Sequence, residues 1–203
     1  MFADACKLPK QFYLRSDVVQ ISRELLGKVL VTNVRGKQSA GLIVETEAYA
    51  GIRDRASHAW HGRRTDRTDV MFAQGGRAYV YLIYGIHVLF NVTTNKEGLP
   101  DAVLIRAIEP LEGIDEMLVR RNMQSPSPAL SNGPSKLTQA LGIDLSFYGL
   151  SLNGNTIWIE DRGISIPEQK IGADTRIRIA YAGEDALRPW RFRIKGNPFV
   201  SKK

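Results

Sequence analysis

The segment Leu42–Tyr49 constrains the fold of this chain more than any other, because it reads as a β-strand yet carries two carboxylates. Strand alternation has a period of two, so Glu45, Glu47 and Tyr49 fall on one face and Val44, Thr46 and Ala48 on the other. Burying two carboxylates beside an aromatic ring without partners is costly. That face is therefore wet, or it is supplied with cations and donors and does chemistry. By strand rise the two glutamates lie about 6.5–7 Å apart, which resembles the spacing of base and acid in single-displacement glycoside hydrolysis. The same spacing suits one base and one structural partner, and it does not choose between them.

The rest of the chain supplies a single sheet-rich domain spanning residues 1–203. Ser16–Gly27 reads as a short helix with Ser16 as N-cap and Gly27 as stop. Lys28–Asn33 and Ala40–Tyr49 read as strands joined by the turn Arg35-Gly36-Lys37-Gln38. Gly51–Asp69 is polar, lacks a clean period and is expected to be an ordered functional loop. Tyr79–Ile83 and Val88–Val92 form the arms of a protruding hairpin around Tyr84-Gly85, and a further strand follows at Val103–Ile108. Gly113–Asn122 should be helical, Gln124–Pro128 a surface loop, and Ser135–Leu141 a helix opened by Pro134 and stopped by Gly142. Late strands are expected at Ile157–Glu160, Thr175–Ile179 and Phe192–Ile194. Strands outnumber helices and the crossovers are short, which predicts an α+β domain: a curved, mostly antiparallel mixed sheet with surrounding helices.

Composition narrows the function classes. A chain of 203 residues with 43% hydrophobic and 24% charged residues is globular, and +7 net charge with a pI near 9.6 favours a polyanionic partner, nucleic acid first. The single cysteine, Cys6, excludes an internal disulfide and a cysteine-based zinc site. No stretch approaches the roughly 20 apolar residues of a membrane span, and the N-terminus lacks a signal-peptide core, so an intracellular, soluble protein is expected. The tail Arg188–Lys203 has six Lys/Arg and no acid. It reads either as a solvated final strand or as a phosphate-facing edge anchored by Trp190, Phe192 and Phe199.

Several side chains in Val44–Val92 suit chemistry on a flat ring. Glu47 on a strand rim can serve as general base for a water, or sit in a salt bridge. His58 and His61 share the polar loop with Asp54 and Asp66. A metal there needs further ligands, and the only other histidine is His87, itself structural or DNA-facing. Otherwise a histidine beside Ser57 and Ala59 hydrogen-bonds or stacks. Tyr79 and Tyr81 share a strand face, whereas Tyr84, at a hairpin tip with little core to enter, can wedge between base pairs. Asn91 faces the same way as Leu89 and needs partners if buried. Arg106, inside the apolar run Val103–Ile108, must be paired if buried, with a glutamate of a neighbouring strand as its partner.

Laid out in order, these residues resemble the alkyladenine (3-methyladenine) DNA glycosylase family. The likeness runs through Ile43-Val44-Glu45-Thr46-Glu47-Ala48-Tyr49, Tyr79-Val80-Tyr81-Leu82-Ile83-Tyr84-Gly85 and Leu104–Gly113. It continues through Gly133-Pro134-Ser135-Lys136-Leu137, Ala182-Gly183-Glu184 and Gly196-Asn197-Pro198. The resemblance implies a monofunctional glycosylase that flips damaged purines (3-methyladenine, 7-methylguanine, hypoxanthine, ethenoadenine) out of double-stranded DNA and hydrolyses the N-glycosidic bond. It implies Glu47 as the residue that activates water, with Arg106 placing both. Tyr49 would stack on one side of the flipped base and His58 and Tyr81 on the other, Asn91 would gate against the amine of guanine, and Tyr84 would intercalate. A compact bacterial-type member is implied: monomeric, cytoplasmic and nucleoid-associated, with no cofactor or metal. A bifunctional enzyme needs a nucleophilic amine at the base pocket, and no lysine falls within Glu45–Tyr84, the segment expected to line it. The rival readings are a non-enzymatic DNA- or RNA-binding domain and a metal-dependent nuclease.

Overall fold

A computed structural model describes residues 6–201. Nine strands join in one curled sheet: β1 (Cys6–Lys7), β2 (Val29–Val34), β3 (Lys37–Tyr49), β4 (Ala78–Ile83), β5 (His87–Thr94), β6 (Asp101–Glu112), β7 (Ile157–Asp161), β8 (Ile171–Asp174) and β9 (Arg191–Ile194). The main order is β1-β7-β2-β3-β6-β5-β4, with β9 pairing both β3 and β8, and every strand pairing among the described residues is antiparallel. Among the described residues four α-helices accompany it: α1 (Lys10–Tyr13), α2 (Val18–Glu24), α3 (Ile114–Arg121) and α4 (Pro134–Leu141).

Local chemistry explains most of these bounds. The β2–β3 turn is a two-residue connection in which Arg35 and Gly36 both have positive φ, the backbone hand that matches strand twist in a tight hairpin. Helix α2 is shorter than the Ser16–Gly27 expectation, and its cap is Asp17, whose carboxylate accepts from Gln20 N at 2.9 Å, in place of Ser16. The expected strand at Thr175–Ile179 does not form; β8 lies just before it. Its alternating Arg-Ile-Arg-Ile pattern imitates a strand, but Arg176 is buried in an ion pair with Asp54 and Arg178 has φ of 60°.

The two sheet faces are covered differently. The main core sets Ile43, Ala48, Val80, Phe90, Val103 and Ile105 against side chains of α2, α3 and α4. On the opposite face Val29, Val31, Ala40, Leu42, Val44, Ala107 and Trp158 form a second cluster, against which Phe199 and Val200 pack. Beyond that cluster this face is roofed by the loop 50–72 and the segment 175–187, which enclose a cavity. The loop is ordered by three short 3-10 turns, and at its start Gly51 takes φ of +45° where a Cβ would meet Asp101 Oδ1 at 2.8 Å.

Candidate active site

Paired bulges place the charged residues. Along β3 and β6, Ile43 pairs Ile108, Glu45 pairs Ala107 and Thr46 pairs Ile105, so Val44 is the extra residue on one strand and Arg106 on the other. A bulge re-aims side chains by breaking alternation. Val44 stays with Leu42 in the second cluster, Ala48 joins the main core, and Thr46 reaches α2 through Ser22. The expectation that Val44 shares a face with Thr46 and Ala48 is thus corrected, because the bulge at Val44 resets the alternation. On the opposite strand Arg106 bonds Glu45 and Glu47 while Ala107 packs with Val44.

Both glutamates are fully buried, and their partners distinguish them. Glu45 Oε1 accepts from Arg191 Nε at 2.7 Å, Ser201 Oγ at 2.9 Å and Arg106 Nε at 3.2 Å, and its Oε2 accepts from Ser201 N at 2.7 Å. Two guanidiniums and two further donors saturate that carboxylate, which does not border the cavity. Glu47 does border it. Its Oε1 accepts from Ile177 N at 2.8 Å and faces Arg106 Nη1 at 3.2 Å, while among the described residues its Oε2 accepts only from the Tyr49 hydroxyl, at 2.8 Å. The burial of Tyr49 and the adjacent Glu47 charge hold its phenol well above the ordinary range, so it stays a donor. The two glutamates thus differ in their contacts: Glu45 is held by four donors away from the cavity, and Glu47 borders it.

The cavity measures about 590 Å³, within the range of small-molecule sites of roughly 300–1,000 Å³. Tyr49, His58, Tyr81, Asn91, Arg106 and Tyr84 all line it, so the structure gathers every residue implied by the resemblance. His58 makes an edge contact with Tyr81 at 4.8 Å between centroids, and its Nδ1 lies 2.8 Å from the Tyr79 hydroxyl. Arg67 approaches His58 Nε2 at 3.1 Å. The same guanidinium nitrogen lies 3.4 Å from Nδ1, so Arg67 borders both ring nitrogens. Burial first, then the Arg67 and Arg63 charges, lower the His58 pKa to about 4. Asn91 is buried and donates Nδ2 to the Tyr79 carbonyl at 3.3 Å. Tyr84 is 73% exposed at the β4–β5 tip with φ of 52°, beside an equally exposed Ile86.

Several site residues lie outside the segment Glu45–Tyr84. Ile177 supplies a backbone donor to Glu47, and Arg191 and Ser201 hold Glu45. Neither a solvated strand nor a phosphate-facing edge describes Arg191, which is 3% exposed, and Arg193 pairs Asp174. Arg176 packs over Tyr49 at 4.8 Å and Trp190 at 5.2 Å while paired to Asp54. The turn into α4 brings Lys136 to the cavity wall, so an amine does border the site; its Nζ donates to Asn132 Oδ1 at 2.8 Å. Asp54 is saturated by Arg176 and by the amides of Ala50 and Ala56, and His61 stacks on Trp60 at 4.1 Å. Among the described residues no group of three His, Cys, Asp or Glu is placed to hold a metal.

Residues 11–198 match the profile of the family described as methylpurine-DNA glycosylase (MPG). The chain is 50% identical over 204 residues to a Bacillus cereus (strain G9842) protein named "Putative 3-methyladenine DNA glycosylase", covering 96% of this chain and 98% of that one. Proteins of the same name from Bacillus anthracis (strain CDC 684 / NRRL 3495) and Bacillus thuringiensis (strain Al Hakam) are each 49% identical with the same coverage. These matches put the chain among the DNA glycosylases, the hydrolases of base excision repair. It belongs to the methylpurine-DNA glycosylase family.

Proposed function

We propose that this protein extrudes alkylated or deaminated purines from double-stranded DNA and hydrolyses the N-glycosidic bond with a water activated by Glu47, leaving an abasic site. One observation carries the reading: Glu47 is the single carboxylate among the described residues lining the cavity. Among the described residues its Oε2 has one partner, the Tyr49 hydroxyl, and so retains acceptor capacity for a water. Arg106, held from behind by Glu45, fixes the orientation of Glu47.

In this arrangement the base sits between Tyr49 on one side and His58 and Tyr81 on the other. The C1′–N9 bond breaks with its electron pair passing to the base, the sugar becomes oxocarbenium-like, and water adds at C1′ while Glu47 takes its proton. A purine alkylated at N3 or N7 is cationic and leaves as a neutral ring. Hypoxanthine and ethenoadenine are neutral and need a proton on the ring to leave as readily. Aromatic walls favour an electron-poor ring through stacking and cation–π attraction. Asn91 faces the ring edge and disfavours the exocyclic amine of guanine, and Tyr84 fills the vacated stack.

The test is base release from duplexes carrying 3-methyladenine, 7-methylguanine, hypoxanthine or ethenoadenine, run with chelator present. Glu47→Gln should bind lesion DNA and lose single-turnover excision by at least about a hundredfold. Excision within threefold of wild type sinks the assignment, intact binding without any excision by wild type favours a binding module, and loss in chelator favours a nuclease. Monofunctional chemistry is proposed as well, with Lys136 engaged by Asn132; trapping of a covalent adduct by borohydride in wild type, lost in Lys136→Ala, refutes it.

A further inference from the structure

The arginines of this protein fall into two sets. Arg64 pairs Asp69, Arg176 pairs Asp54, and Arg106 and Arg191 pair Glu45. Eight arginines enter no salt bridge among the described residues, and three of them, Arg55, Arg63 and Arg67, line one cleft of about 570 Å³. No carboxylate lines that cleft among the described residues. Two aromatic rings do: Trp60, 38% exposed, and Tyr181, 70% exposed. Arg55 lies over the Trp60 ring at 5.8 Å, and Arg67 over Tyr81 at 4.5 Å. The cleft shares His58 and Tyr181 with the walls of the base cavity, so the two are neighbours.

Three guanidiniums that share a cleft without a salt bridge repel one another, and beside burial the charges of Arg67 and Arg63 oppose protonation of His58. An anion in the cleft relieves that repulsion. A bare phosphate would use the arginines but not the rings. A nucleotide uses both, its phosphate on the arginines and its base against an exposed aromatic face, the combination by which proteins hold single strands. Because the cleft abuts the base cavity, its occupant belongs to the same strand as the extruded base.

We propose that this cleft is a second nucleotide subsite, which takes the phosphate and unstacked base of a nucleotide beside the extruded one. Its place beside an extruded base rests on the glycosylase reading above; its affinity for single strands does not depend on Glu47. The protein therefore holds a short single-stranded run as well as one flipped nucleotide.

The experiment is fluorescence anisotropy with a lesion-free thymidine dodecanucleotide, together with excision from a lesion duplex. Trp60→Ala should weaken dodecanucleotide binding about tenfold, the scale of one lost base–aromatic stack, while Trp60→Phe keeps most of it. Arg63→Ala should weaken it too and flatten the salt slope by about 0.7. Circular dichroism confirms that each variant is folded; the exposed positions of Trp60 and Arg63 make that the expected result. Unchanged binding in both Trp60→Ala and Arg63→Ala overturns the proposal, as does a wild-type protein that excises lesions yet does not bind the dodecanucleotide. If wild type releases no base from any lesion while Trp60→Ala still loses the dodecanucleotide, the subsite stands and the Glu47 reading falls.

Discussion

Replacing Glu45 by glutamine should destabilise this protein far more than the same change at Glu47, although the two residues sit two apart on one strand and are equally buried. Glu45 accepts four hydrogen bonds, two of them from guanidiniums. A glutamine there carries one oxygen where two are needed, so its amide NH2 faces the Ser201 N–H in one orientation and the arginines in the other. Arg106 keeps Glu47 as counter-ion at 3.2 Å, but Arg191, 3% exposed, loses the only carboxylate with which it forms a salt bridge among the described residues. Breaking a buried pair by removing one partner costs about 3–5 kcal/mol, against a total stability of about 5–15 kcal/mol. In a domain of this size that is a melting-temperature drop of about 6–20 °C. Glutamine at position 47 can keep its oxygen toward Ile177 N and Arg106 and give its amide to the Tyr49 hydroxyl, which reverses to accept. Arg106 retains Glu45, so the cost is about 1 kcal/mol, one rearranged hydrogen bond, and a drop of about 2–4 °C. Calorimetric unfolding of both variants beside single-turnover excision measures the contrast: Glu45→Gln loses stability, Glu47→Gln loses catalysis. Equal melting temperatures, or a lower one for Glu47→Gln, refute the division of roles.

Tyr84→Ala should slow excision of a well-paired lesion more than the same lesion opposite a mismatch, where extrusion is easier, and Tyr84→Phe should be nearly silent; equal losses on both substrates count against a wedge. His58 is lowered from 6.5 to about 4, so between those values the unfolded chain binds a proton that the folded one does not. Its contribution to stability therefore rises with pH across that window and is lost as pH falls through it. An NMR titration should find the imidazole neutral at pH 6 and its pKa raised in Arg67→Ala; a wild-type value near 6.5 overturns the assigned environment. Binding to lesion-free duplex should weaken steeply with salt, since Arg55, Arg63 and Arg67 are available to phosphates, and a plot of log K against log salt with a slope near zero would make that charge merely solubilising.

Strands β2 to β7 and β9, the protruding hairpin and the helix α4 were legible in the sequence because their signals are local, whereas the short strands β1 and β8 were not expected. Period-two runs, the paired positive-φ turn at Arg35-Gly36 and the Pro134-to-Gly142 bracket each act over a few residues. The list of residues around the cavity was legible through the order of family-like motifs, which fixes identity without fixing geometry. Local pattern failed at Thr175–Ile179, where alternating Arg and Ile imitate a strand while a buried ion pair dictates an irregular path. It also could not separate Glu45 from Glu47. That distinction depends on the bulges at Val44 and Arg106 and on donors from far along the chain, Ile177 lying 130 residues from Glu47 and Ser201 lying 156 from Glu45. Composition and periodicity carry no information about which distant donor reaches which oxygen. A buried carboxylate takes its role from those contacts, because desolvation makes its partners, and not its sequence position, decide whether it anchors the sheet or faces the cavity.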